Sequence, residues 1–448
     1  MAAPARIAIM GHVGNGNLGD EAIIAAVIAR LRERAPGVEL VAFTSNPPDT
    51  AARHGLTTFP IRLMAERRGP EPEAAEPPGP ASGVAERIRR RPWLKALLRP
   101  AVLTARRISS IVRGTLFDLR SLRRLRGVRL IVFAGSGQLN DDMDGAFGYP
   151  LVILRWTVLA RLRGAAVAFA SVGAGPLDYR LSRLFLKLAL RLTAYRSFRD
   201  PSSLAIARRL RAPEPCRLVR DLALSHPRFG PEGPPAHPGR APCVGINPLP
   251  FLGGGSWQSA DRSRYDGYVA AHAELARGLA AKGWRVVLFP TQIRMDPETI
   301  EDIVGRLAAG GAPGGGASRV ESATGIAEVA DLFGVLEQFD LVVATRYHGV
   351  LLALASGIPT VAVSYHPKTR DIMEHMGLAP WCLGLEGLSG SVLLERTADM
   401  ASRLGEVRAT LARQRGRDLA DLLRQYDELL RVSGAAAAEG PAEPPARS

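Results

Sequence analysis

The sequence predicts an α/β protein built from two Rossmann-like, doubly wound domains that face each other across a cleft. Three observations lead there. Short apolar runs recur with helical stretches between them, which is the pattern of parallel sheets. The series is interrupted by Ser225 to Pro242, where six prolines and three glycines read as a linker. A chain of 448 residues is long enough for each half to bury its own core.

The predicted strands of the first half are Arg6–Met10, Glu39–Phe43, Leu130–Ala134, Ala166–Ala170, Tyr195–Phe198 and Arg217–Val219. Helices are expected at about Asp20–Arg34, Pro150–Arg161, Leu181–Leu192 and Pro201–Leu210. In the second half, Cys243–Asn247, Arg285–Pro290, Leu341–Ala344 and Pro359–Val363 read as strands. The helices between and after them fit Tyr265–Ala281, Pro297–Ala308, Ile326–Gln338, Tyr347–Ser356 and Thr369–Met376. The expected organisation is a first domain over 1–224, a linker over 225–242 and a second domain over 243–403. A C-terminal helix over 404–433 and a disordered tail over 434–448 follow.

Composition narrows the class. The apolar fraction of 46% is ordinary for a soluble chain, and no early segment has the pattern of a signal peptide. The longest apolar stretch, Gly349 to Tyr365, is broken by Gly357-Ile358-Pro359 and is too short to span a bilayer. Three cysteines without metal spacing suit a reducing compartment, so a cytoplasmic location is expected. The net charge of +15 is concentrated. Between Gly83 and Gly127, thirteen Arg/Lys face only Glu86 and Asp118, a net +11. A nucleic-acid footprint spread over the fold is therefore not expected. The segment reads as a basic insertion at about 62–127. Ile88, Trp93, Leu94, Leu97 and Leu98 lie among its cations, as in helices that rest on an anionic membrane. Pro92 and Pro100 cut it into short pieces. A solvated Arg-rich face or a subunit contact is the alternative.

The chemistry-bearing residues cluster at strand ends. Gly11 to Glu21 contains a literal GxGxxG at Gly14, Gly16 and Gly19, together with Asn15, Asn17 and Asp20. Glycines there admit an anion to the backbone and the helix start supplies free N–H groups. A nicotinamide reader also needs an acid closing the second strand; here that strand ends Phe43-Thr44-Ser45, which argues against it. The alternative is a tight turn capped by Asn17 or Asp20. A second turn, Gly135-Ser136-Gly137-Gln138-Leu139-Asn140-Asp141, and a third, Gly173-Ala174-Gly175, repeat the theme. Arg199 ends a strand and can offer its fork to a carboxylate or phosphate, or pair with Asp200 or Asp221. In the second half, Thr345-Arg346-Tyr347-His348-Gly349 closes one strand and Tyr365-His366-Pro367-Lys368 closes the next. Arg346, His348 and Lys368 at neighbouring strand ends beside a helix start make an anion site. No His/Asp spacing suggests a metal.

These motifs resemble the polysaccharide pyruvyl transferase family. The resemblance rests on Gly16-Asn17-Leu18-Gly19-Asp20-Glu21, Gly135-x-Gly137-Gln138-x-x-Asp141, Arg199-Asp200, Arg346-x-His348-Gly349 and Tyr365-x-Pro367-Lys368, in that order. It runs from about Ile7 to Gly377 apart from the insertion. It implies a glycosyltransferase-B-like fold with the acceptor side in the first domain and the donor side in the second. The implied donor is phosphoenolpyruvate, with no cofactor. The acceptor would be a cell-surface glycan or its lipid-linked precursor, to which a pyruvate ketal is added. It implies that Arg199, His348 and Lys368 hold the donor with Arg346 nearby, and that Gly14, Asn15, Asn17, Asp20, Gly135, Gly137 and Gln138 face the acceptor. His348, Asp20 and Asp141 are candidates for proton transfer, with Glu21 and Asp221 open beside them. Ser136 departs from the family, where many relatives carry three glycines. Two other readings compete. One is a nucleotide-sugar glycosyltransferase of the same architecture, with Glu386 as its ribose ligand. The other is a non-catalytic protein that binds membrane surfaces.

Overall fold

The computed structural model describes residues 5–63, 112–142, 144–230, 239–250, 261–309, 319–323 and 325–434. The amphipathic reading of residues 88–107, residues 231–238 of the linker, the 310–316 glycine run and the tail past 434 fall outside these.

Two parallel sheets carry the fold. The first has strands β1 (Arg6–Met10), β2 (Glu39–Thr44), β3 (Thr57–Pro60), β4 (Val128–Ala134), β5 (Ala166–Val172), β6 (Tyr195–Phe198) and β7 (Arg217–Leu218). They lie in the order β3-β2-β1-β4-β5-β6-β7. The second has β8 (Cys243–Asn247), β9 (Arg285–Leu288), β10 (Val320–Ser322), β11 (Leu341–Ala344), β12 (Thr360–Ser364) and β13 (Cys382–Gly384). Their order is β10-β9-β8-β11-β12-β13. Central strands such as Val128–Ala134 are almost continuously apolar because helices cover both faces of a parallel sheet. Three strands that the sequence reading did not anticipate, β3, β10 and β13, are all edge strands of three or four residues. Thr-Thr-Phe-Pro and Val-Glu-Ser carry little of the apolar signal that a doubly covered strand needs.

In each sheet the chain runs outward from one central strand and restarts beside it. The switch falls between β1 and β4 in the first sheet and between β8 and β11 in the second. The crevice at the carboxyl ends of such a strand pair is where open α/β sheets bind ligands. The turns after β1, β4 and β11 are the motifs singled out above.

The last helix, Leu404–Ser433, does not stay with the second sheet. Its buried Tyr426 hydroxyl bonds Ser225 at 2.9 Å, and Gln425 bonds Tyr195, Ser197 and Ser171 of the first sheet. Arg34 pairs with Asp427 at 2.5 Å. The chain thus ends by strapping back onto the domain in which it began. Cys216, Cys243 and Cys382 are all free thiols.

Candidate active site

The turn after β1 is built for close approach. Gly14 and Gly16 have φ of +84° and +71°, a region that costs a side-chain-bearing residue roughly 1 kcal/mol. Gly14 donates its N–H to Glu21 at 2.8 Å, and His54 closes on the other Glu21 oxygen at 2.8 Å. Asn17 caps the helix Leu18–Arg34, accepting from Gly19 at 3.2 Å while its amide donates to Asp20 Oδ2 at 2.7 Å. Asn15 is exposed, and its carbonyl accepts from Gln292 of the other domain.

The turn after β4 packs against the same helix. A Cβ on Gly135 would sit 2.8 Å from Ile23, and φ there is +50°. Ser136 follows with φ of +57°, a left-handed residue that is not glycine, which is the position where the family resemblance is broken. Gln138 is fully buried and spends its amide on the carbonyls of Ala134 and Gly135, both at 3.0 Å. Gly137 accepts from Asn140. Asp141 is likewise committed: its two oxygens accept from the N–H groups of Asp178 and Tyr179 at 3.1 Å. Gln138 and Asp141 therefore brace loops, and nothing in this geometry supports Asp141 as an acid or base. Gly173 lacks a side chain because Arg199 lies against it, 2.8 Å from where a Cβ would be.

Arg199 is buried, with Nη1 on Asp221 at 2.9 Å and Nε 3.4 Å from Asp200. The ion pairs weighed as alternatives to a ligand role both exist. They leave Nη2 without a hydrogen bond to a described residue. The Arg199 guanidinium also lies 4.7 Å from the Tyr347 ring of the second domain. Lys368 reaches the same ring, its Nζ 5.1 Å from the centroid. Tyr347 thus joins a cation from each domain. Arg346, one residue earlier, is turned aside: Nε pairs with the fully buried Asp296, which also accepts from Thr291 and Gln292, and Nη2 is buried without a partner.

His348 opens the helix Tyr347–Ala355 and touches the other domain directly. A Cβ on Gly19 would overlap its imidazole. Around this contact the domains exchange backbone bonds, Leu18 N to Thr291 O at 2.9 Å and Ile293 N to Gly16 O at 3.0 Å. His348 Nε2 lies 3.9 Å from Asp20 Oδ1, and both atoms are buried with no hydrogen-bond partner. The structure therefore brings Arg199, His348, Lys368 and Asp20 together, sets Arg346 beside them on Asp296, and keeps Asp141 apart.

Burial decides the protonation states. It pushes the Asp20 carboxyl up to about 7, against the pull of the Ser136 hydroxyl and Arg199. It lowers the His348 imidazole well below its ordinary value, helped by Arg199, Lys368 and Arg346, so the ring is neutral. Burial, then Arg199, brings the Lys368 amine down to about 8. Of the four carboxylates open at the sequence level, Glu21, Asp141 and Asp221 have their oxygens engaged by fixed donors. Asp20 alone keeps an unengaged buried oxygen. Among the described residues no group of three His, Cys, Asp or Glu is placed to hold a metal ion.

Three participants escaped the sequence reading: Asp296, Tyr347 and His12. His12 stacks on Tyr149 at 4.1 Å and 13°, with Nε2 buried and unpartnered. Burial, aided by Arg199 and Arg62, lowers its imidazole to about 4. Its position between β1 and Gly14 was the available signal.

The order and placement of these motifs agree with an independent comparison. A sequence profile described as polysaccharide pyruvyl transferase matches residues 17–367. The chain belongs to this family. It is accordingly a transferase acting on polysaccharide. Among curated proteins, none matches. Solved structures share the fold at low identity. A UDP-N-acetylglucosamine 2-epimerase aligns with TM-score 0.56 and 11% identity over 99% of each chain. The UDP-GlcNAc 2-epimerase of Neisseria meningitidis, bound to UDP-GlcNAc, aligns with TM-score 0.54 and 10% identity over 95% of this chain and 99% of its own. A glycosyltransferase from Rickettsia africae gives 0.53 and 10% over 96% and 100%. The family member described here thus has the glycosyltransferase-B-like fold of two Rossmann-like domains; these likenesses speak to fold alone.

Proposed function

We propose that the chain transfers the enolpyruvyl group of phosphoenolpyruvate to two hydroxyls of one glycan acceptor, forming a pyruvate ketal and releasing phosphate. The observation that carries this is the convergence of Arg199, Lys368 and His348 on Tyr347, beside the unpartnered Oδ1 of Asp20. Lys368 makes no ion pair with a described carboxylate, so its charge is available to an anion. Phosphoenolpyruvate presents a carboxylate and a phosphate. Burial first, and the neighbouring Arg199 next, lower both Lys368 and His348, and a site that holds cations so close together gains most from such a ligand.

Asp20, protonated near neutrality, gives its proton to C3 of the enol while an acceptor oxygen bonds C2. The neutral His348 takes the proton of that hydroxyl. The C2–O bond to phosphate then breaks, its electron pair leaving with phosphate, which receives the His348 proton. A second acceptor oxygen closes on C2, and its proton returns to Asp20. Arg199 and Lys368 hold the anionic groups throughout. Arg346, fixed by Asp296, adds its field and its unpartnered Nη2. The first-domain turns at Gly14–Asn17 and Gly135–Gly137 line the acceptor side. The acceptor is a cell-surface glycan or its lipid-linked precursor on the cytoplasmic face.

The test is phosphate release that requires both phosphoenolpyruvate and a glycan extract, with the glycan gaining the mass of one pyruvate less one water. Turnover of a nucleotide sugar without phosphoenolpyruvate would replace this reading with the glycosyltransferase one. Glu386, that reading's ribose ligand, is exposed in the loop after β13.

A further inference from the structure

The helices on the outer face of the first sheet present apolar side chains to solvent in a way their sequence does not require. In the helix Arg180–Leu192 the inward positions hold Leu186, Ala189, Leu190 and a fully buried serine, Ser182. Four leucines, Leu181, Leu184, Leu188 and Leu192, stand outward at helical spacing, each more than a third exposed. A helix serving only its own core would place Ser182 outside and a leucine within. The neighbouring helix Tyr149–Leu162 adds Val158 and Leu162, the latter 70% exposed. The helix over 112–124 adds Val112, Leu116 and Leu119.

These helices form one layer. Arg155 of the middle helix pairs with Asp118 at 2.5 Å, donates to Gly114 at 2.8 Å and lies over the Phe117 ring, so it binds the helix over 112–124. Phe147, just before the middle helix, meets Phe185 of the third edge-to-face at 6.4 Å. Isolated exposed leucines are normal, but a strip running across three adjacent helices is not. Its charge is one-sided. The three helices hold ten Arg/Lys and a single acid, Asp118, which Arg155 already occupies. Arg180, Arg183, Lys187 and Arg191 alternate with the outward leucines. Phe147 (71% exposed) and Tyr179 (56% exposed) lie at one end of the strip, where the Tyr179 N–H donates to Asp141 of the turn after β4, next to Asp142, which is within electrostatic reach of Lys368.

We infer that this face docks the enzyme on an anionic lipid bilayer, with the leucines of Arg180–Leu192 entering the headgroup boundary and the flanking cations meeting lipid phosphates. No helix among the described residues is long and apolar enough to cross a membrane, so the mode is interfacial. The inference differs from contact through the 64–111 segment, because it assigns the binding to folded helices beside the site. It does not depend on the donor chemistry. It explains how the site would meet a lipid-linked acceptor if that reading holds.

The experiment is flotation of the full chain with vesicles of phosphatidylcholine alone and of phosphatidylcholine with phosphatidylglycerol. The expected result is binding to the anionic vesicles only, weakened at about 0.5 M salt. The triple variant Leu184→Gln/Leu188→Gln/Leu192→Gln should lower partitioning by roughly a hundred-fold or more. It should keep the wild-type circular dichroism and the wild-type thermal shift with phosphoenolpyruvate. Arg183→Gln/Lys187→Gln/Arg191→Gln should lose the preference for anionic vesicles. Unchanged flotation of the leucine variant, or loss of flotation only when residues 64–111 are deleted, overturns the inference. So does a wild-type dimer that the leucine variant converts to monomer without vesicle binding, since the strip would then be a subunit interface. A failed phosphoenolpyruvate response with intact flotation would remove the proposed function and leave the docking face standing.

Discussion

Asp20 Oδ1 and His348 Nε2 face each other at 3.9 Å across the junction of the two domains, and both are buried with no hydrogen bond. A carboxyl pushed up to about 7 beside an imidazole pushed well below its ordinary value forms a proton donor next to a proton acceptor. Environments that drive two titratable groups apart in this way divide acid from base.

The first prediction concerns the acid. If Asp20 delivers the proton to C3, kcat falls as pH rises through about 7, where the carboxyl ionises. Asp20→Asn should reduce kcat by ~100-fold or more while donor binding persists. Stability moves in the same direction. The folded value lies above the ordinary 3.8, so Asp20's contribution is fully present below 3.8 and lost as pH rises through 7. The Asn variant should therefore melt higher than wild type at pH 8 and lose that advantage toward pH 4. A kcat profile that is flat between pH 6 and 8 excludes Asp20 as the acid.

The second concerns the donor clamp. Lys368 has no carboxylate partner among the described residues, whereas Arg346 is paired with Asp296. Lys368→Ala should raise KM for phosphoenolpyruvate more than Arg346→Ala does, by on the order of 2–5 kcal/mol in kcat/KM. Because Lys368 titrates at about 8, wild-type donor affinity should weaken as pH rises through that value. Titration of donor at pH 7 and 9 checks both statements, and equal KM values in the two variants would contradict the assignment.

His348 separates binding from proton transfer. His348→Gln keeps a hydrogen bond without the imidazole's proton chemistry and should lose kcat while KM changes little. Near-normal turnover would mean that His348 only binds.

Gly19 tests whether the domain junction matters. A Cβ there would overlap the His348 ring, so Gly19→Ala must push the imidazole or the whole second domain away. The fold should survive with a loss of about 1–3 kcal/mol in stability, while kcat drops as far as in the His348 variants. Thermal unfolding and turnover, measured together, decide this. Full activity would show that the junction gives way freely.

Ser136 links strain to the acid. Its φ of +57° suits glycine, yet its hydroxyl favours the ionised form of Asp20. Ser136→Gly should relieve ~0.5–1 kcal/mol of strain and move the kcat limb to higher pH. A limb that stays in place while stability rises would confine Ser136 to a structural role.

The sequence by itself determined the two doubly wound sheets and the strand ends that carry the chemistry. Those features depend on local periodicity and on turns such as Gly11–Gly19, which one segment of chain can specify. It missed β3, β10 and β13, because short edge strands are covered on fewer sides and need less apolar surface. Only the tertiary structure decided how the polar groups are used. It turned Arg346 onto Asp296, fifty positions away, sent Asp141 to brace the 178–179 backbone, and returned Gln425 and Tyr426 to the first domain. It also left Oδ1 of Asp20 unpartnered opposite His348. Pairing and ionisation follow from what burial brings within a few ångströms and from how much water it removes, and no pattern along the chain contains either quantity.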